Sequence, residues 1–240
     1  MRNITMGALA LVVLCTVGCS EQATGPTTTT TSEGQKSQAP SGTTAAQKNT
    51  ALVRFINANP TAKGLDIWSG DARAFSNVAY KMTTPYREMP AHAGRFQLRD
   101  FGATQDLAVG RREIFPGRHY TLVALSAAKH ASTLVALSDN LAELEPGKAR
   151  VRLINATVGV DDFDLFVSGT KTRIQHGVDA SSASSFTDVD PGTLEIRLPG
   201  KAAPPELANL KVEADRLYTF IVTGTAGTLD VIRVEDKIDR

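Results

Sequence analysis

The stretch Ala51-Leu-Val-Arg-Phe-Ile-Asn-Ala58 returns 98 residues later as Ala149-Arg-Val-Arg-Leu-Ile-Asn-Ala156. The same offset carries Leu65-Asp66-Ile67-Trp68 onto Phe163-Asp164-Leu165-Phe166. It also carries Gly94-Arg-Phe-Gln-Leu98 onto Gly192-Thr-Leu-Glu-Ile196, and His119-Tyr-Thr-Leu-Val123 onto Leu217-Tyr-Thr-Phe-Ile221. Four blocks in register identify a duplication, and a fixed period of this kind means two copies of one structural unit. The copies span 51–148 and 149–240, joined at the turn Glu145-Pro146-Gly147-Lys148 without room for a free linker.

Each copy reads as all-β. Its apolar segments are short, rich in Val, Ile, Leu, Phe and Tyr, and separated about every ten residues by turn residues. Phe96–Arg99 and Leu194–Leu198 alternate apolar and polar as half-buried strands do. Tyr120–Leu125 and Tyr218–Val222 are more continuously apolar, which suits inner strands. Turns are marked by Ser69-Gly70-Asp71, Pro116-Gly117 and Asp190-Pro191-Gly192. About seven strands in a unit of this size predict two tandem immunoglobulin-like β-sandwich domains.

The blocks Val53-Arg54…Asn57-Ala58, Asp66, Tyr86, Ala93-Gly94 and Tyr120-Thr121 resemble the family catalogued as domain of unknown function 4397. The second copy keeps Val151-Arg152…Asn155-Ala156, Asp164, Gly192 and Tyr218-Thr219, with Phe186 near the place of Tyr86. The resemblance implies tandem β-sandwich modules on secreted or envelope proteins. It brings no catalytic or ligand-binding residues with it.

The residues before the duplication point to export. Arg2 precedes an apolar run from Met6 to Val17, too short to span ~30 Å of hydrocarbon as a helix. Thr16-Val17-Gly18-Cys19 resembles the lipobox of bacterial lipoproteins, with Thr16 where that motif usually has Leu. The resemblance implies a signal peptide over 1–18, cleavage between Gly18 and Cys19, and acylation of Cys19. Ser20 in the following position favours the outer membrane in a diderm cell. The segment 19–50, with Thr27–Thr31 and many Ser, Gly and Pro, has too little apolar surface to fold and reads as a disordered tether.

Composition narrows the function. The only cysteines are Cys15 and Cys19, so no disulfide can brace the sandwiches. Of 26 Lys and Arg, Arg2 leaves with the signal, so 25 basic residues face 25 acidic ones. That balance argues against a nucleic-acid partner, and the basic group Arg111, Arg112 and Arg118 reads as a solvated loop.

No nucleophile elbow, phosphate loop, dinucleotide fingerprint or zinc-protease motif occurs, so neither an enzyme nor a cofactor is expected. His92, His119, His130 and His176 lack ligand spacing for zinc, and Asp161, Asp162 and Asp164 lack the spacing of a calcium loop.

The repeat-matched polar residues Arg54, Asn57, Asp66, Arg152, Asn155 and Asp164 read as structural, since both copies keep them. A hairpin turning near Pro60 would set Arg54 opposite Asp66 as a cross-strand ion pair. Asn57 would enter the core and satisfy a loop backbone. Tyr120 and Tyr218 would be core tyrosines, and Trp68, matched by Phe166, a core or inter-domain ring. The expected role is a membrane-anchored, non-catalytic display module for an envelope partner. A glycan binder using Trp68, Tyr80 or Tyr86 and a hydrolase with an unrecognised site are the alternatives.

Overall fold

Along Thr50–Asn57, the first strand (β1), Ala51, Val53 and Phe55 point into one buried cluster, while Ile56 and Ala58 beyond it join another. A strand with apolar side chains on both faces has to be covered on both, and this requirement organises the molecule. The structure is a computed structural model that describes residues 49–92, 94–126, 131–142 and 144–237. The signal segment 1–18 with Gly18, Cys19, the tether up to residue 48 and His130 lie outside the described residues.

The first copy contributes β1, β2 (Leu65–Ser69), β3 (Ala72–Val78), β4 (Arg87–Pro90), β5 (Arg95–Asp100), β6 (Ala108–Arg111), β7 (His119–Ser126) and β8 (Ser132–Asp139). They form two four-stranded sheets, in the orders β4-β1-β7-β8 and β3-β2-β5-β6. Val53, Phe55, Tyr120 and Leu122 from one sheet meet Ile67, Phe75, Phe96 and Leu98 from the other, closing a β-sandwich.

The second copy contributes β9 (Ala149–Val158), β10 (Asp162–Val167), β11 (Arg173–Asp179), β12 (Ser182–Ala183), β13 (Thr187–Val189), β14 (Gly192–Arg197), β15 (Leu210–Val212), β16 (Arg216–Thr225) and β17 (Thr228–Lys237). Its sheets run β12-β9-β16-β17, with β13 also on β9, and β11-β10-β14-β15. Val151, Leu153, Phe163, Leu165, Ile196, Tyr218 and Phe220 fill this second sandwich.

At the centre of one sheet in each sandwich lies a parallel pair, β1 with β7 and β9 with β16, among otherwise antiparallel neighbours. These strands are covered on both sides. Ile56, Ala58, Val123 and Leu125 leave the first sandwich and pack against Ile154, Ala156, Ile221, Ile232 and Val234 of the second. The two sandwiches therefore share a third apolar core, and four sheets stack in one compact body. The connection between them is held down: Arg150 donates to the carbonyls of Asn140 and Ala142, and forms a bidentate pair with Asp188.

Candidate functional site

Alternation along β1 places Arg54 on the face that carries Ile56, toward the second sandwich. Its Nη1 and Nη2 donate to both oxygens of Asp236 at 2.7 and 2.8 Å, and its Nε donates to Thr121 Oγ1 at 2.8 Å. Arg152, its counterpart on β9, donates through Nη2 to Asp139 Oδ1 at 2.7 Å and through Nε to Thr219 Oγ1 at 3.0 Å. Asp236 lies in the last strand of the second copy and Asp139 in the last strand of the first. Each copy thus supplies an arginine to the other's final strand, the reciprocity of a two-fold, self-complementary interface.

The two pairs join into one network. Thr121 Oγ1 and Tyr86 Oη both donate to Asp139 Oδ2, at 2.6 and 2.8 Å. The Arg54 guanidinium lies 4.6 Å from the Tyr86 ring centre, and Arg152 lies 4.5 Å from that of Phe186. Burial pushes the Tyr86 hydroxyl well above its ordinary pKa, with the Asp139 carboxylate acting in the same direction, so it remains a donor. Burial also opposes the charge on both arginines. At Arg54 the Asp236 carboxylate outweighs it, while at Arg152 burial prevails and draws the pKa down.

Arg54 and Asp66 do not form the expected ion pair. The segment after β1 crosses to the opposite sheet instead of turning back as a hairpin, so the two residues lie in different sheets. The crossing lets β1 and β2 line the same core from opposite sides.

Asp66 and Asp164 instead hold a bulge. Asp66 Oδ1 accepts the Asn77 N–H at 2.7 Å, and Asp164 Oδ1 accepts the Gly177 N–H at 2.9 Å. Asn77 and Gly177 have φ of 51° and 58°, the left-handed region that Asn and Gly tolerate best. The register shifts there in both copies. The next carbonyls, of Val78 and Val178, accept from Asn57 Nδ2 and Asn155 Nδ2. The repeat's Asn and Asp therefore grip the backbone of consecutive residues where β3 and β11 bend.

Tyr120 and Tyr218 are fully buried, and each hydroxyl accepts a backbone N–H five residues earlier, from Phe115 and Glu213, at 3.0 Å. Trp68 is neither a core ring nor an inter-domain one. It is half-buried on the outer face of its sheet beneath Arg99, 4.8 Å from the ring centre, with Arg73 at 5.9 Å. Phe166 has Arg197 at 4.2 Å, the counterpart of Arg99. Outward strand parity and an arginine on the neighbouring strand explain both. Tyr80 is half-buried against the shared core. Trp68, Tyr80 and Tyr86 are thus covered by neighbours rather than forming an open stacking platform. Among the described residues no three His, Cys, Asp or Glu side chains converge as metal ligands.

Asp139, Asp236, Thr121 and Thr219 escaped sequence reasoning. The threonines follow the matched tyrosines and were legible as part of Tyr-Thr. The aspartates fall out of step by one residue: Asp139 pairs with His119, whereas Asp236 pairs with Leu217. The longer β7–β8 connection hides them from a search at fixed offset.

The family model described as Domain of unknown function (DUF4397) matches residues 51–164 and 151–240. The chain belongs to this family. No curated protein matches the chain. Among solved structures, the C-terminal domain of AlgF from P. aeruginosa is 22% identical with a TM-score of 0.31, over 38% of this chain and 99% of that one. A putative cell adhesion protein from Bacteroides uniformis is 11% identical with a TM-score of 0.24, over 79% and 98%. The Bacillus anthracis TIE protein is 11% identical with a TM-score of 0.24, over 73% and 34%. No catalytic family is indicated. In this DUF4397 chain the shared Arg, Asn, Asp and Tyr-Thr residues hold bends and join repeats.

The bulge anchor has a pH signature. Burial raises the Asp164 pKa, but the Gly177 N–H, His176 and Arg173 together outweigh it and hold the carboxyl below its ordinary range. A carboxyl depressed in the fold stabilises above its unfolded pKa of ~3.9, and that stability disappears as pH falls through the folded value. Asp164→Asn keeps an acceptor for Gly177 and should cost about 1 kcal/mol at pH 7. Urea titrations at pH 7 and pH 3 should find the variant's deficit shrinking in acid. An equal deficit at both values would contradict the assignment.

Proposed function

We propose that this chain is a lipid-anchored envelope protein that displays a rigid, non-catalytic pair of β-sandwiches to an envelope partner. Acyl groups on Cys19 hold it in the membrane, the outer membrane in a diderm cell, and residues 20–50 give it reach. The observation that carries the reading is the use to which the repeat-matched polar residues are put. Arg54 and Arg152 tie the repeats together, while Asn57, Asp66, Asn155 and Asp164 hold backbone. The groups that both copies keep thus serve rigidity, which suits a spacer or display module.

The anchor is tested by growing cells with a labelled fatty acid. Label should appear on the wild-type chain and be absent from Cys19→Ala, which should be released or retain its signal. Cross-linking in the intact envelope, with and without residues 51–240, then tests display: a partner must depend on the sandwiches. An unlabelled wild-type chain sinks the anchor, and an unchanged partner set sinks the display role.

A further inference from the structure

The start of β1 is pinned by two loops. Ala91 donates to the Asn49 carbonyl at 3.0 Å, and Gly117 donates to the Thr50 carbonyl at 2.9 Å. The chain that leads from Cys19 therefore enters the body beside the connection between β6 and β7, residues 112–118. That connection ends in a tight turn. Pro116 and Gly117 form its middle, Gly117 has φ of 70°, and the Arg118 N–H donates to the Phe115 carbonyl at 3.4 Å. The Tyr120 hydroxyl fixes the Phe115 N–H.

This fixed turn presents a ring among cations. Phe115 is 46% exposed, and Arg111, Arg112 and Arg118 are exposed around it. Arg118 lies 5.9 Å from the Phe115 ring centre, and Arg112 donates to Ser138 Oγ. None of the three arginines forms an ion pair with a carboxylate among the described residues. The acid of the loop, Glu113, has His92 Nδ1 at 3.7 Å. Arg111 also lies directly opposite Arg95 across the β5–β6 pair, where like charges repel.

The second repeat builds the matching turn differently. Asp215 has φ of 61° where Gly117 stands, and donates to the Lys148 carbonyl as Gly117 does to that of Thr50. Glu213 takes the place of Phe115, its N–H held by the Tyr218 hydroxyl. Arg216, the match of Arg118, is already paired with Glu235 at 3.1 Å. The turn as such requires neither an exposed ring nor free cations, and the repeat that has them is the one joined to the tether.

We propose that this end of the first repeat docks on an anionic lipid surface, that of the membrane to which the chain is tethered. Phe115 enters the headgroup region, and Arg111, Arg112 and Arg118 face lipid phosphates. The ring leaves water while the cations stay at headgroup level, the arrangement that suits such an interface. Asn49 follows Cys19 by 30 residues. A coil of that length spans about 30 Å, which keeps the turn within reach of the bilayer. The inference rests on the display reading for its membrane, and adds which end of the body faces the lipid.

The test uses residues 20–240, which hold the whole described body but neither the signal nor the acyl site. Its result is therefore independent of the anchor, which fatty-acid labelling of Cys19 tests separately. Cosedimentation is read at about 1 mM lipid, the regime a short flexible tether sets. Vesicles of phosphatidylcholine with about one-third phosphatidylglycerol should bind about tenfold more protein than phosphatidylcholine alone. That binding should fall in about 0.5 M salt, which screens exposed charges. Phe115→Glu, which installs the second repeat's residue, and the pair Arg111→Ala, Arg118→Ala should each lower binding about fivefold or more. Phe101→Ala removes a ring that is 55% exposed beyond the far end of β5, and should bind as wild type does. Circular dichroism checks that every variant is folded. Absence of binding to the anionic vesicles, equal binding to neutral ones, or binding unchanged in either folded variant would overturn the inference. So would a preference for a soluble acidic polysaccharide over the vesicles. If the double variant misfolds, Phe115→Glu alone decides.

Discussion

Replacing Arg152 with alanine should destabilise the protein by about 3–5 kcal/mol, the loss typical when one partner of a buried ion pair is removed. The Arg152 side chain is 2% exposed and that of Asp139 is 0% exposed, so the carboxylate left behind is cut off from bulk solvent. Asp139 would keep Thr121 and Tyr86 as neutral donors but lose its counter-charge. Arg54→Ala should cost less, about 1–3 kcal/mol, because its partner Asp236 is 18% exposed and can rehydrate. Lys81→Ala, whose pair with Asp230 lies in the open, should cost under about 1 kcal/mol.

Urea titrations of the three variants provide the measurement, with the slope of free energy on denaturant reporting whether the unfolded surface stays the same. The decisive feature is the ranking Arg152, Arg54, Lys81. Equal losses at all three would show that burial of the network contributes nothing. Because a typical margin is only about 5–15 kcal/mol, Arg152→Ala should also shorten the protein's lifetime in cells.

The second large effect is expected at the shared apolar core. Ile221 is fully buried on the face of β16 that meets the first sandwich, beside Ile56, Val123 and Ile154. Ile221→Asp places an unpaired carboxylate there and should cost at least about 4 kcal/mol. Ile221→Val, which removes one methylene, should cost about 0.5–1.5 kcal/mol.

Calorimetry distinguishes the mechanism. The wild-type body should unfold in one transition whose calorimetric and van't Hoff enthalpies agree, since neither sandwich can leave without exposing the face it shares. Ile221→Asp should split that transition or abolish it, and should bind a dye that reports exposed apolar surface. Two independent transitions in wild type would show the repeats to be separate domains.

Much of this architecture was legible in the chain. The 98-residue offset exposes the duplication because each copy must solve the same packing problem with the same residues. The continuously apolar Tyr120–Leu125 and Tyr218–Val222 mark inner strands, and in the structure these are the strands covered on both faces. The shared Arg, Asn, Asp and Tyr residues could be read as serving the fold, since what both copies keep is what their common fold requires.

The partners of those residues were another matter. A sequence shows that Arg54 alternates with Phe55, but not which surface lies beyond the strand. Reading β1 and β2 as a hairpin put Asp66 opposite Arg54, whereas β2 belongs to the other sheet and Arg54 reaches Asp236, 182 residues away. Asp139 and Asp236 were hidden by a one-residue difference in hairpin length.

By itself, then, the sequence determined the all-β class, the two copies and the residues that both copies require, because strand periodicity and repetition are local properties of a chain. The shared core and the exchanged ion pairs were decided only by tertiary structure. They depend on which faces meet, and that is set by burying every apolar face at once rather than by any one segment.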